Sequence, residues 1–501
     1  MKYLLIILLS LLVVFSLHLG QDRPSVHKIE YENYKNLKIE KQIESDNDVN
    51  IIPLDKTVEK KLTRAVFGYL PDWEYLNNAY RNFDYSLLSH IAAFDFGVTA
   101  NGSITNPAGW PWTNLINEAH QNGVKVVMCV INFDISNTEM HNLLVTESTR
   151  LNFIKNTKSI ITAFNLDGIN IDFEAGHINV SDRGDNINNF MKELTDSVHS
   201  WSPDLEVSFA GPAVNWGGWD FNGLVNACDY IFIMGYDFYG SWSSTAGPTA
   251  PLNSNSPYNI FNTINQEYAS ESLFYPDKLI LGVPYFGPHW TTTTPNEGSA
   301  TIAFQNSKRF RDAEVEAANY GLKWSNTFQN SWYSYLSGST YHQVWYDNAQ
   351  SMGLKYDLAI EENLKGIGMW ALGYDGSRSE LWDLIAEKFT IPVSVEGSKI
   401  LPENYRLEQN YPNPFNPTTT IEYSIPNILD GNNSMTQNVS LSVFDIMGRE
   451  IINLNEGNKT AGNYKVQFDA SNLSSGVYYY TLKVFSGKRN FSQTKKMLVV
   501  K

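Results

Sequence analysis

Between residues 62 and 390 the chain repeats one pattern eight times. A short apolar run is followed by polar punctuation and, in several intervals, by apolar residues at helical spacing. The runs are 65–70, 87–94, 124–131, 168–174, 205–210, 230–236, 278–285 and 365–372. Before the third lie Leu115, Ile116 and Ala119; before the fourth, Phe153, Ile154, Ile160, Ile161 and Phe164. Before the fifth lie Ile187, Phe190, Met191, Leu194 and Val198, and Trp201-Ser202-Pro203 then stops that helix. Eight short apolar strands alternating with helices predict an α/β chain whose main body, 62–390, is a (β/α)8 TIM barrel. In such a barrel the carboxyl ends of the strands carry the chemistry.

The fourth run reads Asp167-Gly168-Ile169-Asn170-Ile171-Asp172-Phe173-Glu174. Alternate side chains of a strand point to opposite faces, so Ile169, Ile171 and Phe173 share one face and Asn170, Asp172 and Glu174 the other. A row of polar groups along a buried strand is costly unless each has a partner or a task. Glu174 comes last, at the carboxyl end, and Gly176, Asn179, Ser181, Asp182 and Gly184 follow as a loop.

Asp167-x-x-Asn170-x-Asp172-x-Glu174 resembles the D-x-x-D-x-D-x-E signature of glycoside hydrolase family 18, the chitinases and their relatives, with asparagine at the second aspartate. The resemblance implies that Glu174 is the general acid and that Asp172 orients the substrate's N-acetyl group. Asn170 replaces a carboxylate that could share a proton with Asp172; its amide is expected to donate to Asp172. Met234-Gly235-Tyr236-Asp237 resembles the family's M-x-Y-D, which implies a catalytic Tyr236 on the acetamido group and substrate contacts from Asp237 and Met234. Gly366-Ile367-Gly368-Met369-Trp370 resembles the last strand, whose tryptophan floors the sugar pocket, and Phe67-Gly68-Tyr69-Leu70-Pro71-Asp72-Trp73 the first, whose Tyr69 lines it. Leu281-Gly282-Val283-Pro284 resembles a pattern that marks the fold. At strand three the family often has S-x-G-G, whereas this chain has Val130-Ile131-Asn132-Phe133, a form similar to a bacterial branch with peptidoglycan-active members.

The resemblance implies substrate-assisted, retaining cleavage of β-1,4 linkages in N-acetylglucosamine polymers, chitin or chito-oligosaccharides first. Alternatives are an N-acetylglucosaminidase directed at peptidoglycan or at the N-glycan core, and a silent chitin-binding lectin. Glu174 beside Asp172 is expected to hold its proton to higher pH. No His/Cys cluster has metal-ligand spacing and no glycine-rich phosphate loop precedes a helix, so neither metal nor other cofactor is expected. The longest insertion, about 287–345, is rich in Thr, Asn, Ser, Trp and Tyr; it is either a wall of the sugar groove or a surface excursion.

The ends of the chain differ from its middle. Lys2 precedes an apolar run, Tyr3 to Leu19, too short for a spanning helix and placed as a signal peptide, 1–20. Residues 21–61 are polar and read as a leader or linker. After a linker, 391–410, residues 411–501 alternate as short strands between turn signals, a small β-sandwich. There Asn410-Tyr411-Pro412-Asn413-Pro414-Phe415-Asn416-Pro417, Phe444-Asp445-Ile446-Met447-Gly448-Arg449 and Ser475-Gly476-Val477-Tyr478-Tyr479 resemble the C-terminal sorting domain of type IX secretion. A carbohydrate-binding module is the alternative. The resemblance implies a secreted or cell-surface protein that meets bacterial secretion machinery and keeps no stable membrane span after processing. A net charge of −16 over 501 residues makes nucleic acid an unsuitable partner. Cys129 and Cys228, on different strands, are expected as buried free thiols.

Overall fold

A computed structural model describes residues 24–35, 50–391, 405–426, 429–430, 433–434, 436–454, 457–485 and 490–501. The expected signal peptide and most of the 391–410 linker lie outside these residues. The chain divides into two units at Ile391/Pro392.

In the first unit, eight parallel strands close on themselves: β1 (Ala65–Pro71), β2 (His90–Val98), β3 (Lys125–Ile131), β4 (Gly168–Asp172), β5 (Glu206–Pro212), β6 (Tyr230–Met234), β7 (Leu279–Pro284) and β8 (Gly366–Trp370). Each pairs with the next, and β8 returns to β1 in register Ala65 to Gly366. All eight expected strands are present. β2 starts three residues later than its apolar run because Tyr85–Leu87 is a 3-10 turn, capped by the Asp84 side chain accepting from Ser86 N–H. β4 and β6 end before Glu174 and Tyr236, which frees both residues from the hydrogen-bond ladder.

The barrel centre is packed around Phe232. A Cβ on Gly282 or on Gly368 would lie 2.4 Å from its ring, so the two glycines make room for one phenylalanine. Outside, Phe173 packs against Phe153 and Phe190 of the helices Glu147–Ala163 and Asp185–Trp201, as the alternation along β4 requires. The β7–β8 insertion is a five-stranded antiparallel sheet with the helix Phe310–Tyr320. It has its own apolar cluster, in which Trp332 and Trp345 stack at 4.8 Å. Within the stretch read as a polar leader, Val26–Tyr34 is a helix, α1.

The second unit is a β-sandwich of a three-stranded and a five-stranded antiparallel sheet around Phe415, Ile421, Leu441, Leu482 and Val499. Its motif residues have structural work. Buried Asn410 donates to the Pro412 carbonyl and to Thr419, and its own N–H donates to the Tyr480 hydroxyl. Asp445 closes a turn by accepting from the N–H groups of Met447 and Arg449. Both cysteines are buried and free, and no helix among the described residues is long and apolar enough to cross a membrane.

Candidate active site

The carboxyl ends of β1, β4, β6 and β8 converge on one cleft. Asp172 is the last residue of β4 and fully buried. Two residues on, Glu174 has left the ladder, and its N–H donates to the Asn132 side chain at 3.1 Å. Tyr236 and Asp237 follow β6. Asp237 adopts a left-handed backbone (φ 63°), which Asp tolerates better than most residues, with its N–H held by Thr249 Oγ1 at 3.0 Å. Trp370 ends β8 and lies flat in the cleft, with Phe94 and Tyr69 against it.

α1 lies over this floor. Ser25 caps it, accepting from Lys28 N–H at 3.1 Å, while the same hydroxyl donates to Glu174 Oε1 at 2.5 Å. Val26 N–H donates to Asp237 Oδ2 at 2.7 Å. The His27 ring stacks on Trp370 with centroids 3.7 Å apart. Its Nδ1 donates to Asp172 Oδ2 at 2.8 Å and lies 3.7 Å from Glu174, and its Nε2 pairs with the Tyr236 hydroxyl at 2.7 Å. One turn on, the Glu30 carboxylate accepts from Trp370 Nε1 at 2.8 Å and from the Tyr374 hydroxyl at 2.6 Å. Tyr31 donates to Asp134. Tyr34 stacks on Trp73 at 4.8 Å and accepts from Arg309 of the insertion at 2.8 Å.

Of the residues expected from sequence, Glu174, Asp172, Tyr236, Asp237 and Trp370 all touch α1 or Ser25, and the Tyr69 ring lies 5.6 Å from His27. Met234 lines a cavity that remains beside the helix start, bounded by Pro24, Ser25, Glu174, Trp216 and Trp242. Asn170 sits a layer lower, fully buried, accepting from the Tyr69 hydroxyl at 2.9 Å. Its amide donates to Ser208 Oγ at 2.9 Å, not to Asp172 as the sequence suggested, because β5 presents Ser208 on the barrel's inner face beside it. Asp172 Oδ1 has no hydrogen-bond partner among the described residues. Asp167, first in the motif, is at the opposite end of the barrel, where it accepts from Val126 N–H and pairs with His120.

Burial, and then the neighbouring Asp172, push the Glu174 carboxyl well above the ordinary range, with Asp237 adding to the effect. Burial raises Asp237 to about 6. Tyr236 is held protonated by burial and by Asp172. The cleft therefore keeps a neutral acid next to a carboxylate and a phenol, the groups needed to protonate a leaving oxygen and to hold a polar substituent. His27, Asp172 and Glu174 also place donor atoms within 4.8 Å of one another, a set that could take a divalent cation, although direct hydrogen bonds already join His27 and Asp172.

Residues 65–375 match the profile of glycosyl hydrolases family 18. The chain belongs to that family. Residues 409–501 match a secretion system C-terminal sorting domain, which marks this glycoside hydrolase for export to the cell surface or beyond. Similar proteins include the di-N-acetylchitobiase of Homo sapiens, 26% identical over 66% of this chain and 88% of that one. The cortical fragment-lytic enzyme of Bacillus subtilis is 24% identical over 61% and 68%. A family 18 chitinase from Cycas revoluta, solved with (GlcNAc)3, superposes with a TM-score of 0.58 at 20% identity, covering 65% of this chain and 99% of that one. The family motif accounts for the floor of the site but not for α1. Ser25, His27, Glu30, Tyr31 and Tyr34 escaped the sequence reading because they lie in a polar stretch. Their signal was a capping serine followed by groups at i, i+3, i+4 and i+7.

Proposed function

We propose that this family 18 enzyme is secreted and cleaves β-1,4 linkages of N-acetylglucosamine polymers, chitin and chito-oligosaccharides first, by substrate-assisted retaining hydrolysis. One observation carries the reading. Asp172 and Tyr236 grip the two nitrogens of a single five-membered ring, which lies flat on Trp370 with the Glu174 carboxyl beside it. An oxazolinium formed by attack of the acetamido oxygen on the anomeric carbon is also a five-membered ring, with an N–H for Asp172 and an oxygen for the Tyr236 hydroxyl. Most glycosidases use a second carboxylate as nucleophile or base; family 18 is a substrate-assisted exception.

In the first step Glu174 gives its proton to the leaving glycosidic oxygen as the acetamido oxygen closes on the anomeric carbon. Asp172 accepts from the acetamide N–H and stabilises the positive charge that develops there. Glu174, now anionic, takes a proton from water as the water opens the ring, which returns the acid and retains the anomeric configuration. The Trp370 face offers apolar area to the pyranose while its ring distorts. Asn132 and Phe133 after β3, together with a cortex-lytic relative, support peptidoglycan as a second substrate class.

The reading is tested by product analysis on chito-oligosaccharides, peptidoglycan, an N-glycoprotein and cello-oligosaccharides. Cleavage of acetamido sugars and inhibition by a thiazoline mimic of the ring are expected, with cello-oligosaccharides uncut because the nucleophile is missing. Glu174→Gln should lower kcat by about 10²–10⁴ while oligosaccharide binding survives. Efficient cleavage of cello-oligosaccharides, or near-wild-type turnover by Glu174→Gln, overturns the mechanism.

A further inference from the structure

α1 fills the side of the cleft that a sugar would need. Its N-terminus, the positive end of the helix dipole, faces Glu174 and Asp237: Val26 N–H donates to Asp237, and the capping Ser25 hydroxyl donates to Glu174. His27, fully buried, occupies the space between Trp370, Asp172 and Tyr236. Glu30 brings a further carboxyl group into the cleft, and burying one is expensive unless it is partnered, as its Oε2 is here by Trp370 and Tyr374. Tyr34 covers Trp73 one turn further along. His27, Glu30, Tyr31 and Tyr34 share one helix face, and each meets a matched group of the barrel or of the insertion.

We propose that residues 24–35 are an autoinhibitory segment that mimics substrate. The His27 imidazole stands in for the five-membered ring of the intermediate, Tyr34 stands in for a sugar stacked on Trp73, and the full-length enzyme stays latent until the segment is displaced. The proposal rests on the reading of this cleft as the sugar site. A ligand tethered in the same chain acts at an effective concentration on the order of mM. A free peptide with a dissociation constant of about 10 μM would then fill the cleft about 99% of the time in the intact chain. The cavity that stays open, beside Trp216 and Trp242, lies beyond Glu174 and does not include Asp172 or Trp370. A sugar chain could reach it but could not place an acetamido group against Asp172.

The test compares three full-length proteins, wild type, His27→Ala and the double variant Glu30→Ala/Tyr34→Ala, all checked for native melting. Each is assayed for kcat/KM on a chito-oligosaccharide and for binding of (GlcNAc)3 by calorimetry. Both variants should bind the trisaccharide more tightly than wild type and show kcat/KM about tenfold higher or more. A synthetic peptide of residues 24–35 added to either variant should restore inhibition, competitively with substrate. The double variant keeps Ser25 and His27, so it reports the same gain if His27→Ala does not fold. Tighter trisaccharide binding with no turnover by any of the three would keep the inhibitory segment and overturn the glycosidase reading instead. Equal affinity and equal kcat/KM across the three proteins, with the peptide inert, overturns the proposal.

Discussion

Asn170 shows how one atom exchange changes the inside of this barrel. It accepts from Tyr69 and donates to Ser208, so the amide completes a neutral network below Asp172 and Glu174. Asn170→Asp would replace the donating nitrogen with an oxygen, and the Ser208 hydroxyl can turn to donate to it. An ionised Asp there adds a negative charge behind Asp172 and makes Glu174 harder to deprotonate. The proposed mechanism needs Glu174 protonated for the first step, and burial already holds its pKa above the usual carboxylate range. The alkaline limb of kcat/KM for Asn170→Asp should therefore move to higher pH, read from two pH profiles on one chito-oligosaccharide; a limb that moves down refutes the coupling. The motifs made Glu174, Asp172 and Tyr236 legible as candidates. It could not give their partners, because which side chain lies across the barrel depends on register and strand order.

At the scale of elements, the strands were legible because burial on both faces leaves near-continuous apolar runs. Their ends were less so, since a ladder stops where a side chain or a turn takes over its hydrogen bonds, as Asn132 does for Glu174. At the amino end of β5, Glu206 ties three strands together. It pairs with His90 of β2 at 2.8 Å and with Lys125 of β3, and accepts from Tyr230 of β6 at 3.3 Å. Burial alone would raise its pKa, but His90 and Lys125 hold it well below the ordinary value. The stabilisation is thus complete above the unfolded Glu pKa of about 4.3 and is lost as pH falls toward the lower folded value. Glu206→Gln should lower stability at pH 7 by about 1.5–3 kcal/mol, seen in thermal melting. The gap from wild type should narrow as the pH is lowered below about 4. A gap that stays constant with pH would mean that the pairing contributes little.

For the whole molecule, the second unit has its own core and its own motif-bearing turns, so it can be removed without opening the barrel. Deleting residues 409–501 should leave a folded hydrolase that accumulates inside the cell envelope, measured by activity in envelope and medium fractions. Unchanged export together with lost chitin binding would assign the unit to carbohydrate binding instead. The sequence by itself determined the closed barrel, the C-terminal sandwich and the family, and it named the three candidate catalytic residues, since periodicity and short motifs are local properties that survive without neighbours. Only the tertiary structure decided what fills the cleft. α1 is nine residues long, polar, and too short to be a stable helix alone, so nothing within it distinguishes it from a linker. It becomes a helix with a defined face because Trp370, Asp172, Tyr236, Tyr374 and Arg309, brought together by barrel closure from far along the chain, supply the partners its own sequence lacks.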